Sequence, residues 1–194
     1  MSPHRDARIP SNAYVVNGDG TATIVLSNGP ITNIDAGDLR RVLPFHWYAS
    51  RSSRVNDRFY ACTQVRTASG HKKRVRLHQV ILPTERPYEV DHVDGDGLNN
   101  RQSNLRRASR SQNLGNSPIG RFNTSTFKGV SWHRQRGMWR ATCGNKHLGL
   151  FADPLDASLA YDNAARERFG PFAAVNFPRN GERPARFDEK EHTP

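Results

Sequence analysis

The sequence has few cysteines, no long apolar stretch and no excess of acidic charge. Cysteine occurs twice in 194 residues, which is too little for a disulfide framework or a four-cysteine zinc site. No stretch approaches the ~18 apolar residues that a membrane-spanning helix needs, and the first residues lack the apolar core of a secretory signal. We therefore expect a cytoplasmic protein with reduced thiols, and neither a membrane protein nor a disulfide-stapled secreted domain.

Positive charge is abundant instead, and it is spread along the chain. Lys and Arg total 29 against 18 Asp and Glu, a formal net charge of +11 at pH 7. Residues 1–120 hold 17 basic and 10 acidic side chains, and residues 121–180 hold 9 and 4. Basic segments that also contain aromatic residues are typical of proteins that bind a polyanion. Surplus solubilising charge is the alternative interpretation, whereas a membrane surface fits less well because no basic amphipathic helix is visible.

Length and turn signals divide the chain into two modules. At ~100–200 residues per domain, the chain allows one or two small domains. The polar stretch GNSPIGRFNTST is punctuated by Gly, Pro and Ser and predicts a flexible connector. We place one module at residues 11–116, a second at 122–180 and a disordered tail at 181–194. Both modules mix short strands with helices, so the predicted fold class is α+β.

Capping residues predict where several helices begin. Asp35 is expected to cap a short helix, and the S-x-x-Q pattern at residues 109–112 has the form of a capping box. Asp153 followed by Pro154 predicts the start of a longer helix, which Gly170 ends.

The segment VDHVDGDGLNNRQSNLRRASRSQN concentrates groups that bind metals and move protons. Asp91 and His92 are adjacent at the end of a short extended run, and Asn104 and Asn113 follow at fixed distances. The D-x-[DN]-x-[DN]-G pattern of a calcium loop is not met. Plain turn chemistry is the alternative interpretation of the Asp, Gly and Asn residues between them.

These residues and their spacers resemble the HNH nuclease motif, in the form found in phage and intron-encoded homing endonucleases. Asn104 lies 12 residues after His92, and Asn113 lies 22 residues after Asp91. The resemblance implies a ββα-metal core at about 74–116. It leaves the role of His78 open, because the family often has His-Arg where this chain has His-Gln.

The resemblance also implies a role for each motif residue. His92 is the expected general base, since a histidine with an ordinary pKa of about 6.5 is mostly neutral at neutral pH. Asn104 would accept a hydrogen bond from the imidazole and fix its tautomer. Asp91 and Asn113 offer oxygen ligands that suit Mg²⁺ or Mn²⁺ rather than zinc. No small-molecule cofactor is expected.

The second module carries the strings GV, LGLF, AYDNAA and NFP, which resemble the plant APETALA-two/ethylene-response-factor DNA-binding domain. That resemblance implies a small three-stranded antiparallel sheet packed on one helix, with the sheet facing DNA. We expect Trp139 and Tyr161 in its core and leave Trp132 open. Ser131 and His147 replace arginines of the plant domains, so the plant target sequence does not transfer. The expected DNA contacts are Lys128, Arg134, Arg136, Arg140 and Lys146.

Together these observations predict a Mg²⁺-dependent, site-specific DNA endonuclease of homing type. It would bind double-stranded DNA, nick one strand per active site, and act at the nucleoid in the cytoplasm of a bacterium or phage-infected cell. A DNA-binding regulator with an inactive HNH module is the alternative. The target, the oligomeric state and the choice between nicking and double-strand cleavage stay open. Truncation after Asn116 is expected to spare the chemical step and to weaken DNA binding, whether the second module reads a sequence or is a non-specific tether.

Overall fold

The structure, a computed structural model, describes residues 12–52, 58–120 and 122–186. Its backbone contacts form two compact units, Met1–Thr84 with Asp96–Arg106, and Glu85–Gly95 with Arg107–Pro194. Small sheets and short helices alternate along the chain, in agreement with the α+β class. The two units differ from the modules 11–116 and 122–180, which rest on sequence resemblance and stay a prediction.

The first unit contains two three-stranded antiparallel sheets, with strand orders β1-β2-β3 and β4-β5-β6. Its buried side chains include Trp47, Ile34 and Leu77. The elements are β1 Tyr14–Val16, β2 Thr21–Val25, β3 Ile31–Asp35, α1 Leu39–Val42, β4 Tyr48–Arg51, β5 Phe59–Arg66, β6 Lys72–Arg76 and α2 Leu77–Ile81.

Asp35 does not cap the helix that follows it, and this part of the sequence prediction is wrong. A 3₁₀ turn and α1 do follow Asp35, but its side chain makes no capping hydrogen bond. Its Oδ2 accepts a hydrogen bond from the backbone N–H of Gln102 at 2.7 Å, and its Oδ1 lies 3.7 Å from Nε of Arg101. The carboxylate therefore fixes a loop that is distant in sequence.

The same loop is also attached to β3. The backbone N–H of Asn100 donates to the carbonyl of Asn33 at 2.7 Å, and the N–H of Asn33 donates to the carbonyl of Leu98 at 3.0 Å. The buried side chain of Asn100 donates through Nδ2 to Oγ1 of Thr32 at 2.8 Å. Asn100 thus anchors the loop that carries Asn104.

The second unit contains a two-stranded sheet with a short helix, followed by a three-stranded sheet with a long one. The three-stranded sheet is antiparallel with order β11-β10-β9, and α4 packs on it. The elements are β7 Tyr88–His92, β8 Leu105–Ser109, α3 Arg110–Gly115, β9 Val130–His133, β10 Met138–Cys143, β11 Lys146–Phe151, α4 Pro154–Phe169, β12 Ala174–Val175 and β13 Arg183–Pro184. β8 begins in the first unit and ends in the second.

Both helix starts predicted in this unit are confirmed. Oγ of Ser109 accepts from the N–H of Gln112 at 3.3 Å, and Oε1 of Gln112 accepts from the N–H of Ser109 at 2.8 Å, which is the reciprocal capping box of α3. Oδ1 of Asp153 accepts from the N–H of Leu155 at 2.6 Å and caps α4. The local sequence therefore determines where α3 begins, and α3 faces the candidate site.

The core of the second unit lies between α4 and the three-stranded sheet. Tyr161 is buried there, as predicted, beside Cys143 and Phe169. Trp139 is partly buried against a neighbouring cluster that contains Val130 and Ala141. The ring of Trp132 packs edge-on against the ring of Trp139, and Trp132 remains 47% exposed. Burial raises the pKa of the Cys143 thiol and that of the Cys62 thiol in the first unit. Because the thiolate is the reactive form, we expect both free thiols to be unreactive.

Residues 181–186 are ordered, which corrects the prediction that the tail begins at residue 181. β13 pairs in parallel with β12, and Glu182 forms a two-pronged ion pair with Arg166 at 2.8 Å. The hydrogen bonds from Arg166 and from the backbone N–H of Arg179 lower the pKa of Glu182 to about 2. The pair is therefore fully charged at neutral pH and weakens only as the pH falls below about 4.5. Residues 187–194 lie outside the described residues.

The connector predicted to be flexible holds specific contacts in its described part. The backbone N–H of Ile119 donates to the carbonyl of Ala185 at 2.9 Å, and the side chain of Asn123 donates to the carbonyl of Phe127 at 2.9 Å.

Across residues 12–52, 58–120 and 122–186, every helix is too short or too polar to span a bilayer.

Candidate active site

The end of β7 and the facing helix α3 bring together a carboxylate, a histidine and two amides. Asp91 and His92 are the last two residues of β7, and both are buried, at 2% and 5% exposure. Beyond them the N–H of Gly95 donates to the carbonyl of His92 at 2.9 Å and closes a tight turn, in which Gly95 has a φ of +77°. Glycine adopts this conformation without strain, so the turn fixes the end of the strand.

Two amides, Asn113 in α3 and Asn116 directly after it, face the acidic side chains of β7. Asn113 donates through Nδ2 to Oε2 of Glu89 at 2.6 Å, and Asn116 donates through Nδ2 to Oδ1 of Asp91 at 2.7 Å. Residues two apart in a strand share one face, and residues three apart in a helix share another. The two asparagines, three residues apart, therefore meet Glu89 and Asp91, which lie two residues apart on one face of β7.

Asn116 is the residue that sequence reasoning missed. It follows the last residue of α3, is 1% exposed, and donates a second hydrogen bond from Nδ2 to the carbonyl of His92 at 2.8 Å. Asn113, the metal ligand expected from the motif, is hydrogen-bonded to Glu89, whose carboxylate also lies 3.7 Å from Nη1 of Arg110. The signal for Asn116 was its spacing of three residues from Asn113, which places both on one helical face.

Asn104 and His78 belong to the first compact unit. Nδ2 of Asn104 donates to the carbonyl of Asn99 at 2.8 Å, which orients the amide and leaves its oxygen as the acceptor. His78 is buried in α2, and its ring lies edge-on to that of Tyr60 with 5.7 Å between centroids. His78 therefore packs against Tyr60, and the sequence leaves any further role of this histidine open.

The donor set fits a hard divalent cation. Carboxylate and amide oxygens are the ligands that Mg²⁺ and Mn²⁺ prefer. Oδ1 of Asn116 is buried next to Asp91 and has no hydrogen-bond partner among the described residues. This acceptor could therefore bind a hydrogen-bond donor or a cation. Within the described ranges, no group of three or more His, Cys, Asp or Glu side chains lies close enough together to hold a metal ion.

The predicted DNA contacts separate into two groups in the structure. Arg134, Arg136, Arg140 and Lys146 are exposed on the three-stranded sheet or its turns. Nε and Nη2 of Arg140 lie 3.3 and 3.2 Å from Oγ of Ser131, which orients the guanidinium. The structure places Lys128 elsewhere: its Nζ donates to the carbonyl of Gly115 at the end of α3, at 2.6 Å.

Comparisons with known proteins bear on both parts of the chain. A family model described as HNH endonuclease matches residues 82–114, the segment that contains β7, β8 and most of α3. Protein 3.8 of Escherichia phage T7 is 37% identical over 94 residues, which span 47% of this chain and 78% of that protein. Dehydration-responsive element-binding protein 2E of Arabidopsis thaliana is 38% identical over 53 residues, 27% of this chain and 18% of that protein. No solved structure matches.

Proposed function

This chain belongs to the same family as Protein 3.8 of Escherichia phage T7, and we propose that it is a metal-dependent DNA endonuclease of HNH type. The observation that supports the proposal is the local fold of the HNH-matched segment. The match covers residues 82–114, and within it Asp91 and His92 end a strand that faces the capped helix α3, whose Asn113 donates to Glu89 of that strand. We propose further that the enzyme is site-specific and of homing type, and that it acts in the cytoplasm of a bacterium or phage-infected cell.

Each motif residue has a role in the proposed hydrolysis. His92 takes the proton from the attacking water and thereby generates the nucleophile. For Asn104 we propose, from the motif alone, that it would accept a hydrogen bond from the imidazole and keep it in the productive tautomer. Asp91 and Asn113 would hold Mg²⁺ or Mn²⁺, which would supply positive charge to stabilise the negative charge that develops during the reaction. Attack of the activated water at phosphorus breaks the bond to the 3′ oxygen, which takes a proton from solvent water, so the products are a 5′-phosphate and a 3′-hydroxyl end.

The three-stranded sheet is proposed as the DNA-binding surface. Its exposed arginines and lysine carry positive charge, and the partly exposed Trp132 adds an aromatic side chain at the same sheet. The name of the similar Arabidopsis protein describes binding to a dehydration-responsive element. We therefore propose an APETALA-two-like domain that binds double-stranded DNA and sets the preference for the cleavage site.

A supercoiled plasmid tests the nuclease proposal. The full chain with Mg²⁺ should convert supercoiled DNA to open circles, and EDTA should prevent the conversion. Open circles before linear DNA would support one nick per active site. Binding of the plasmid without any cleavage in Mg²⁺ or Mn²⁺ would instead support a DNA-binding regulator with an inactive HNH module.

Arg140→Ala is expected to relax sequence preference rather than weaken binding uniformly. Arginine that reads a guanine edge is worth about 1–3 kcal/mol of discrimination, so the affinity for a selected duplex should fall by that amount relative to a scrambled one. Preferred duplexes come from selection on a random library with the full chain. Arg40→Ala, at an exposed arginine of α1, is the control of equal charge. An equal loss on both duplexes would show that Arg140 contacts phosphate only, which should also reduce the salt slope by about 0.9.

A further inference from the structure

The orientation of the Asn116 amide is fixed by its neighbours. Two acceptors, Oδ1 of Asp91 and the backbone oxygen of His92, lie 2.7 and 2.8 Å from the same amide nitrogen. The opposite orientation would bring the amide oxygen against two other oxygens, with no hydrogen between them. Nδ2 therefore faces β7, and both of its hydrogens are used.

This orientation leaves Oδ1 of Asn116 as a buried acceptor with no hydrogen-bond partner among the described residues. A buried polar group without a partner costs about 1–3 kcal/mol, and most such groups in proteins are paired with protein or ordered water. The atom belongs to a residue that is 1% exposed and directly hydrogen-bonded to the expected metal-binding carboxylate. A donor at this position is therefore expected in the functional state.

We propose that Asn116 is a positioning residue of the metal site. Its Nδ2 holds the Asp91 carboxylate and the end of β7 in one fixed arrangement, and its Oδ1 accepts a hydrogen bond from a water of the hydrated cation. Mg²⁺ and Mn²⁺ keep several waters when bound by one or two carboxylates, so such a donor is available at this site. The inference rests on the proposed function, since it requires a divalent cation at Asp91.

The C-terminal segment holds Asn116 in place from the other side. Nη1 of Arg183 donates to the backbone oxygen of Asn116, and the guanidinium lies so close to Gly95 that a side chain there has no room. Glu182, the neighbour of Arg183, is fixed by its ion pair with Arg166 of α4. Residues 182–183 therefore support the end of α3 and the turn after His92 together.

Phe169 and Lys128 support the same helix end. An added Cβ at Gly115 would lie 2.6 Å from the ring of Phe169, so α3 and the end of α4 are in close contact. The hydrogen bond from Lys128 to the Gly115 carbonyl satisfies one of the free carbonyl groups at a helix C-terminus.

Truncation after Asn116 is now expected to disturb the metal site as well as DNA binding, which revises the expectation from sequence.

Mn²⁺ binding to the full chain without DNA tests the proposal independently of cleavage. The free Mn²⁺ signal in electron paramagnetic resonance gives a dissociation constant for each variant. Asn116→Ala should raise it on the order of tenfold, the lower end of the range for losing an outer partner of a metal ligand. Arg183→Met, which keeps an unbranched side chain but removes the guanidinium donors, should shift the dissociation constant in the same direction.

Asn123→Ala is the matched control. Nδ2 of Asn123 also donates to two backbone carbonyls in the same unit, those of Phe127 at 2.9 Å and Val130 at 3.3 Å. Both asparagine variants should lower the melting temperature, but Asn123→Ala should leave Mn²⁺ affinity unchanged. Asn116→Ser, which retains one donor, should lose less affinity and replaces the alanine variant if that one does not fold.

The outcomes separate this inference from the proposed function. Wild-type Mn²⁺ affinity in Asn116→Ala together with lost affinity in Asp91→Ala would overturn the role of Asn116 and leave the nuclease proposal standing. Unchanged affinity in Asp91→Ala would remove the metal from this carboxylate, and the proposed function with it. If neither Asn116 variant unfolds cooperatively, the residue acts in folding and the proposal is overturned.

Discussion

The substitution His92→Ala is expected to lower the DNA-cleavage rate by ~10²–10⁴, the usual range for loss of a general base. The hydrogen bonds at this position that fix the strand end use the backbone oxygen of His92, which accepts from Gly95 and Asn116. Alanine preserves both, so DNA affinity and folding should change little. Single-turnover cleavage of a plasmid, with DNA binding measured on the same variant in EDTA, separates the two effects.

His92→Gln is a useful companion to the alanine variant. Glutamine fills part of the buried space left by the imidazole but does not accept a proton near neutral pH. Both variants should therefore be equally slow. Cleavage at the wild-type rate in either one would remove His92 from the mechanism.

Asp91→Ala is expected to abolish metal-dependent cleavage altogether. Asp91 is the carboxylate at the centre of the proposed site, and it accepts a hydrogen bond from Asn116. Asp91→Asn keeps an oxygen acceptor for that bond while removing the charge, and it should be as inactive as the alanine variant.

Asn113→Ala should raise the Mg²⁺ concentration that is required for half-maximal cleavage. The effect should be smaller than that of Asp91→Ala, because a neutral amide oxygen attracts a hard cation less than a carboxylate does.

A nearby acidic residue provides the control for charge alone. Asp94 is exposed in the turn that follows β7. Asp94→Ala should keep metal-dependent cleavage close to that of the wild-type chain. If Asp94→Ala and Asp91→Ala lost activity equally, the metal dependence would come from the total negative charge near the turn and not from Asp91 as a specific ligand.

The elements that follow from local chemistry were predictable from the sequence. The α3 capping box at Ser109 and Gln112, and the start of α4 at Asp153, depend on residues within three positions of each other. The prediction for Asp35 was wrong because its partners, Gln102 and Arg101, lie more than sixty positions away in the sequence. Capping propensity describes what a side chain can do locally, and a distant backbone N–H competed successfully for this carboxylate.

The candidate site was predictable only in part for a similar reason. Motif spacing proposed Asp91 and His92 as site residues, and it placed Asn113 on the helix that faces their strand. The role of Asn116 depends on how a strand face and a helix face align, which linear spacing does not specify. The support from Arg183 is still less visible, because it comes from a segment whose composition predicted disorder.

Ligation of the nicked product is the most direct test of the central claim that this chain hydrolyses DNA at the Asp91–His92 site. We predict that open circles form with Mg²⁺ or Mn²⁺ but not with EDTA, and that DNA ligase reseals them, because attack of water leaves a 5′-phosphate beside a 3′-hydroxyl. The same treatment with Asp91→Asn should yield no open circles to reseal. Nicks that form in EDTA, that resist ligation, or that persist in Asp91→Asn would contradict the claim.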